Sequence, residues 1–446
     1  MNKKKTIIIL IVLVGTLLRI YNLSSESINF DEAGQLELMH NPDFDYGNPP
    51  FYYLFLNNWA TIFGTSELSI RFPSVIFGVL SIFMLYKLAC LIFNEKVALL
   101  SALILALNPF HVFFSQQARM YSLFMLLSLL SLYYFFKILM KNKKSDLYLY
   151  LILNLLNLYT HYFAIFVLFS EILYFTAFNK NFRFKLKPFI LANVLILMLY
   201  LPQFSKVYIG FIGKATEFNW GVKPSMYFSY LFSSFLGWNV QITAALLLLF
   251  LFGILVKFDV KTDFFGLLYV LLPILIGFFL SFTIPMLPRY FIFILPIYIL
   301  FICSALTKLK YKWMQLIIIL VILFITGFGL IKDYSNPINP QLRDIANYIK
   351  ENSQEGEIIL IDNYAEPTFE YYYNGNLTRI KLLSSTHIKE NQIFYNSIEP
   401  KLGYNRIWLI LSEDTDKYYI YRLSQDFKLI SLNRFFKADL YFYETN

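Results

Sequence analysis

Apolar stretches long enough to cross a bilayer recur along the first three quarters of this chain, and no other feature limits its fold so severely. Crossing about 30 Å of hydrocarbon takes roughly 20 residues, and inside lipid every backbone N–H and C=O must find its partner within protein. About eleven such stretches can be read, at 6–22, 72–93, 97–114, 120–139, 146–160, 162–178, 188–204, 239–256, 264–284, 290–307 and 313–331. Hydrophobic residues make up 58% of the chain and charged residues 15%, against about 45–50% and about 25% in soluble domains. A cytosolic enzyme and a disordered chain are both excluded. Cys90 and Cys303 lie inside apolar stretches and suggest neither a disulfide framework nor a thiolate metal cluster.

The net charge of +9 reports membrane orientation rather than nucleic acid, because its basic residues fall in short loops on one side. With the N-terminus inside, the cytoplasmic loops are 94–96, 137–144, 180–187, 257–261 and 308–312. The long loop 23–70 holds Glu26, Asp31, Glu32, Glu37, Asp43, Asp45 and Glu67 and no Lys or Arg, so it belongs outside. The first span opens on Lys3, Lys4 and Lys5 like a signal peptide, but no small-residue cleavage site precedes Arg19, Tyr21 and the acidic segment beyond, so it reads as a retained anchor. An odd number of crossings then places the C-terminus outside the plasma membrane.

After Lys332 the composition changes. Asn336-Pro-Ile-Asn-Pro is a turn-rich linker, and the remainder of the chain is polar enough to fold in water. The expected division is a transmembrane domain over 1–332 and an extracytoplasmic α/β cap over 333–446. Helical spacing marks 341–352, with a further helix near 416–424, and strands are expected at 357–362, 378–383, 406–411, 428–432 and 438–443.

Several chemically able residues collect at the outer ends of the spans. Asp31 and Glu32 form adjacent carboxylates in the first outer loop, where one could take a proton from a hydroxyl as it becomes a nucleophile; a merely acidic loop is the plainer reading. Asn48-Pro49-Pro50-Phe51-Tyr52-Tyr53 starts an amphipathic helix ending near Phe63, whose Tyr52, Tyr53 and Trp59 also suit an ordinary aromatic belt. Arg71, in Arg71-Phe-Pro-Ser74, and Arg119, in Ser115-Gln-Gln117-Ala-Arg119-Met-Tyr121-Ser122, are cations on the sparsely charged side. Each can fork onto phosphate oxygens or snorkel to headgroups. His161-Tyr162 and Pro288-Arg289-Tyr290 bring further polar groups to the same face. Glu171 lies deep in a span, where an ionisable group is paired or functional.

In combination, Asp31-Glu32, Asn48-Pro-Pro-Phe-Tyr-Tyr53, Arg71-Phe-Pro-Ser74 and Gln117-Ala-Arg-Met-Tyr-Ser122 resemble the integral-membrane GT-C glycosyltransferases of the family 39 type, which include protein O-mannosyltransferases and lipid A aminoarabinose transferases. The resemblance covers roughly 1–332 and is strongest before residue 125. It implies a polyprenyl-phosphate-linked sugar donor used outside the cytoplasm, with Asp31 as catalytic base. Many relatives carry Glu where this chain has Gln117.

On that reading the expected reaction is inverting transfer to a hydroxyl of a lipid, glycan or protein. Asp31 acts as base and Glu32 positions it or the sugar. Arg119, with Arg71 or Arg289, stabilises the leaving phosphate. Gln117, Tyr121, His161, Tyr162, Tyr53 and Tyr290 position substrate. No dedicated metal motif is present, although Asp31, Glu32 and His161 could form a divalent-cation site. A lipid or sugar transporter is the second reading, but its ionisable groups should gather near the midplane. A non-catalytic scaffold or sensor is the third.

Overall fold

The computed structural model of the chain describes residues 3–40, 49–141, 143–182, 184–208, 224–236, 247, 250–251, 260–383, 388–398, 404–412 and 417–445. Two compact units emerge: Met1–Leu23 with Asp45–Tyr334, and Ser24–Phe44 with Ser335–Asn446. The segment 24–44, assigned from hydropathy to the membrane domain, thus groups with the C-terminal residues. Hydrogen bonds explain why. The Glu26 carboxylate accepts the amides of Ile338 and Asn339 at 3.1 Å each, Arg343 donates to the carbonyls of Ser24 and Ser25, and the Ile28 amide donates to the Tyr372 hydroxyl at 2.7 Å.

The first unit is helical. Its elements are α1 (Lys3–Ile20), α3 (Phe51–Phe63), α4 (Glu67–Ile92), α5 (Glu95–Leu107), α6 (Pro109–Ser115), α7 (Tyr121–Lys141), α8 (Lys144–Leu158), α9 (Ala164–Phe178), α10 (Leu186–Tyr200), α11 (Tyr227–Leu236), α12 (Val260–Leu280), a 3₁₀ segment Pro288–Ile294 running into α13 (Leu295–Lys308), and α14 (Lys312–Ser335). Six helices among the described residues are long and apolar enough to span a membrane: Glu67–Ile92, Tyr121–Lys141, Leu186–Tyr208, Asp263–Leu280, Pro288–Lys308 and Lys312–Ser335. The pair α5–α6, bent by 62°, makes a seventh if it is one span.

The remaining expected spans differ for local reasons. α1 carries three lysines and Arg19, and α8 and α9 have only 15 residues each. Most of 239–256 lies outside the described residues. The expected span 97–114 breaks at Asn108, because Pro109 has no N–H to donate and bars helical geometry before it. Asn108 sits at φ −71°, ψ 119°, and its side chain caps the next helix through the His111 amide at 2.9 Å.

The second unit is an α/β sandwich. The sheet order is β2 (Thr378–Leu382), β1 (Ile358–Asp362), β3 (Arg406–Ser412), β5 (Ala438–Thr445) and β4 (Phe427–Phe435), with β1 parallel to β2 and β3, and β5 antiparallel to β3 and β4. Every residue of β1 is buried, as expected of a parallel strand covered on both faces. On one face α15 (Leu342–Asn352) and α16 (Glu366–Tyr372) pack through Ile345, Ile349 and Phe369 onto Ile359, Ile361 and Trp408. On the other, α17 (Ile388–Ile398) and α18 (Tyr418–Asp426) pack through Tyr395, Tyr419 and Leu423 onto Ile358, Leu360 and Leu409. All five expected strands are present, and α16 and α17 are additional to the expected helices.

α2 (Phe30–His40) also belongs to this unit, within the outer loop 23–70 whose interfacial helices were expected as part of the membrane domain. Asn29 Oδ1 accepts the Glu32 amide at 2.9 Å, and Glu32 Oε2 accepts the Asn29 amide at 3.1 Å. This reciprocal pair is a capping box, formed with Asn in place of the usual Ser or Thr.

Candidate functional site

Three junctions of the membrane unit converge on Tyr121. The turn between α6 and α7 carries Gln117 and Arg119, the loop between α8 and α9 carries His161 and Tyr162, and the 3₁₀ segment carries Arg289 and Tyr290. The Arg119 guanidinium lies 6.0 Å from the centre of the Tyr121 ring and that of Arg289 5.8 Å from it. Arg289 is also 5.9 Å from the Tyr290 ring. Cations over aromatic faces are attracted by the ring quadrupole, which holds both guanidinium groups in place.

His161 completes this cluster. Its ring stacks on Phe124 with centroids 4.5 Å apart and planes 9° from parallel, and it lies 5.9 Å from Tyr121 and 5.8 Å from Tyr290. Nδ1 accepts the Phe163 amide at 3.1 Å, which leaves Nε2 to carry the ring proton. Gln117, Arg119, Tyr121 and His161 are buried, and Tyr162, Arg289 and Tyr290 are half-buried. Five of the expected residues, Arg119, Tyr121, His161, Arg289 and Tyr290, therefore share one cluster.

Arg71 is anchored differently, donating from Nη1 to the Leu23 carbonyl at 2.9 Å. One helical turn on, Ser74 donates to the Arg119 carbonyl at 3.4 Å and meets the Tyr52 hydroxyl at 3.3 Å. Tyr53 is buried on α3, and its neighbour Tyr52, placed with it at the headgroup level from the sequence, makes the contact with Ser74.

Asp31 and Glu32 belong to the second unit. Both stand in the first turn of α2, where negative side chains complement the helix dipole. Glu32 is buried and closes the capping box, and Asp31 beside it is half-buried. The Asn29-Phe-Asp-Glu32 spacing is the signal that could have announced this helix. Among the described residues no group of three or more His, Cys, Asp or Glu side chains is placed to hold a metal ion.

Glu171 is enclosed by neutral partners. Its carboxylate accepts the Ser131 hydroxyl at 2.7 Å and the Asn154 amide at 3.3 Å, tying α9 to α7 and α8.

Residues 47–205 match the family model of dolichyl-phosphate-mannose-protein mannosyltransferases. The chain superposes on Cupriavidus metallidurans ArnT bound to undecaprenyl phosphate with a TM-score of 0.65 at 13% identity, covering 97% of each chain. The fold is that of the GT-C membrane glycosyltransferases. The chain also superposes on the Archaeoglobus fulgidus oligosaccharyltransferase in the apo form, with a TM-score of 0.61 at 13% identity, over 94% of this chain and 71% of that one. AglB of the same organism, in complex with an inhibitory peptide and a dolichol-phosphate, gives 0.58 and 13% over 95% and 71%. No curated protein matches by sequence. The expected GT-C, multi-pass membrane architecture with a C-terminal sheet domain is thus borne out.

Proposed function

We propose that this chain transfers a sugar from a polyprenyl-phosphate carrier to an acceptor hydroxyl of a lipid, glycan or protein on the extracytoplasmic side of the membrane. The observation that carries the reading is the pair of guanidinium groups, Arg119 and Arg289, brought from separate junctions to one tyrosine ring in a chain of GT-C fold. Undecaprenyl phosphate in one structural neighbour and dolichol-phosphate in another support a lipid-phosphate donor.

In the proposed reaction Asp31 takes the proton of the acceptor hydroxyl. The acceptor oxygen bonds to the anomeric carbon from the face opposite the phosphate, the carbon–oxygen bond to phosphate breaks, and the electron pair leaves with polyprenyl phosphate. Configuration inverts. Glu32 holds the turn on which Asp31 sits, through the capping box. Arg119 and Arg289 offset the charge that develops on the leaving phosphate, the kind of preorganised stabilisation that contributes most when water is excluded. His161 offers an N–H to the sugar or phosphate, Tyr121 and Tyr290 offer ring faces, and Arg71, Gln117, Tyr53 and Tyr162 shape the surroundings. The N-terminus is cytoplasmic and the sheet unit selects the acceptor.

The test is sugar transfer by the purified chain in detergent from a synthetic polyprenyl-phosphate sugar. Bond formation that Asp31→Asn abolishes while donor binding persists is the expected result. Movement of the donor lipid across a vesicle membrane with no new glycosidic bond would sink the proposal in favour of a transporter.

A further inference from the structure

Arg19 is the one fully buried arginine among the described residues, and the proposed reaction gives it no role. It sits one residue from the end of α1. All five of its N–H groups have acceptors within reach. Nη1 donates to the carbonyls of Gly15 at 2.8 Å and Ala106 at 3.1 Å, Nη2 to Leu105 at 3.4 Å and to His111 Nδ1 at 2.8 Å, and Nε to Ser115 Oγ at 3.2 Å. Arginine has no acceptor, so the His111 nitrogen must accept. Two of these carbonyls, at 105 and 106, lie in the last turn of α5 where Pro109 interrupts the α5–α6 span; the Asn108 amide also reaches that of Leu105, at 3.3 Å, and in lipid such groups need a protein partner.

Space has been made for this arrangement. A Cβ on Gly78 would fall 2.2 Å from Ser115 Oγ and 3.2 Å from Arg19 Nε. The same knot then continues into the turn that bears Arg119. Ser115 ends α6 and also donates to the His111 carbonyl at 2.5 Å. Gln116, the next residue, donates from its side chain back to the carbonyls of Tyr21 at 2.8 Å and Arg19 at 3.2 Å. Ser122 donates to the Phe114 carbonyl at 2.8 Å from the far side of the turn.

We propose that Arg19 is a positioning residue for phosphate recognition: by capping the broken α5–α6 span and holding Ser115, it fixes the turn 116–120 and so aims the Arg119 guanidinium. The inference rests on the proposed donor-phosphate role of Arg119 and deepens it. It predicts energetic coupling between two arginines that are not themselves hydrogen-bonded partners.

The experiment is a double-mutant cycle on the full chain in detergent, with undecaprenyl phosphate as the binding probe and thermal unfolding as the check on folding. Arg19→Lys keeps the charge but cannot reproduce five N–H bonds in a plane, so it should bind the probe about tenfold more weakly. Ser115→Ala keeps the cap on the α5 carbonyls and removes only the link to the turn, and should lose about three- to fivefold. Each loss should vanish in the Arg119→Ala background, to within about twofold, because the aim of an absent guanidinium no longer matters.

If Arg19→Lys does not fold, the Ser115→Ala arm decides alone. Losses that add to that of Arg119→Ala, or unaltered binding by Ser115→Ala, overturn the proposal. If instead Arg119→Ala itself binds the probe like wild type, the donor-phosphate reading fails and this inference falls with it.

Discussion

Replacing Glu171 separates the transferase reading from the transporter reading, because only a transporter needs an ionisable group at that depth. The structure gives Glu171 two hydrogen bonds that join helices, from Ser131 at 2.7 Å and Asn154 at 3.3 Å, and Asn154 also donates to Ser131 at 2.7 Å. Hydrogen bonds between membrane helices contribute about 0.6 kcal/mol on average and up to about 1.7 kcal/mol. Glu171→Leu removes two of them, so it should cost about 1–3 kcal/mol of stability. Glu171→Gln keeps one acceptor oxygen and sets an amide against the other partner, and should cost about 1 kcal/mol or less. The assay is thermal unfolding in detergent beside transfer kinetics. Melting temperature should fall from wild type through Gln to Leu, while kcat and KM of the Gln variant stay within about twofold of wild type. A Gln variant that melts like wild type yet does not turn over would refute the assignment of Glu171 as helix-to-helix adhesive and favour a coupling site.

Three further outcomes can be checked. Asp31→Asn should bind donor like wild type and fail in transfer; equal turnover removes Asp31 from the role of base. Asp362 is buried at the end of β1 and accepts the amides of Tyr364 at 2.7 Å, Ala365 at 3.0 Å and Ser412. Asp362→Ala leaves three amides without their acceptor and should destabilise the sheet unit by about 2–4 kcal/mol, read as faster hydrogen exchange in β1 and β3. Burial raises the Glu370 carboxyl above the usual glutamate range, against the opposing pull of Arg379 at 3.0 Å. A raised folded value means a contribution to stability that is full below the ordinary carboxylate range and is lost as pH rises through the folded one. Between about pH 4 and 7 exchange protection of the sheet unit should therefore fall less in Glu370→Gln than in wild type.

The strands were legible because their chemistry is local. Runs such as Glu357-Ile-Ile-Leu-Ile-Asp362 have the length and β-branched content of a covered strand, and β1 occupies all but the first of those residues. The convergence of Arg119, His161 and Arg289 was legible too, since each stands at the end of a readable span, on what the charge pattern marks as one common side. Three things were not. The break at Asn108 hides in hydropathy because both halves are apolar, and only the Pro109 backbone argument exposes it. The grouping of Ser24–Phe44 with the C-terminal unit depends on Glu26 meeting amides more than 300 residues away, which no local pattern records. Arg19 falls inside the first expected span with no local mark of its role, because its five acceptors come from α1, α5 and α6 together.

Depth alone does not sort structural from functional polar residues in this membrane unit, but partners do. On α8, Asp146, Tyr150, Asn154, Asn157 and His161 just beyond its end recur at spacings of four, four, three and four, and all are buried. Down that face Asp146 pairs with Lys137 at 2.7 Å, Tyr150 donates to Asn193 at 3.1 Å, Asn154 meets Ser131 and Glu171, and Asn157 donates to Ser128 at 3.1 Å. Each of these contacts joins α8 to another helix, which is why a helix of only 15 residues with a polar stripe down one face can still be held among apolar ones. Only at the top does the pattern change. His161 meets rings and, around them, two guanidinium groups from other junctions, an arrangement that concentrates positive charge in one place. Clustered charge of one sign draws in ligands of the other, which is why the proposed lipid-phosphate donor is assigned to the end of this polar stripe and not to its middle.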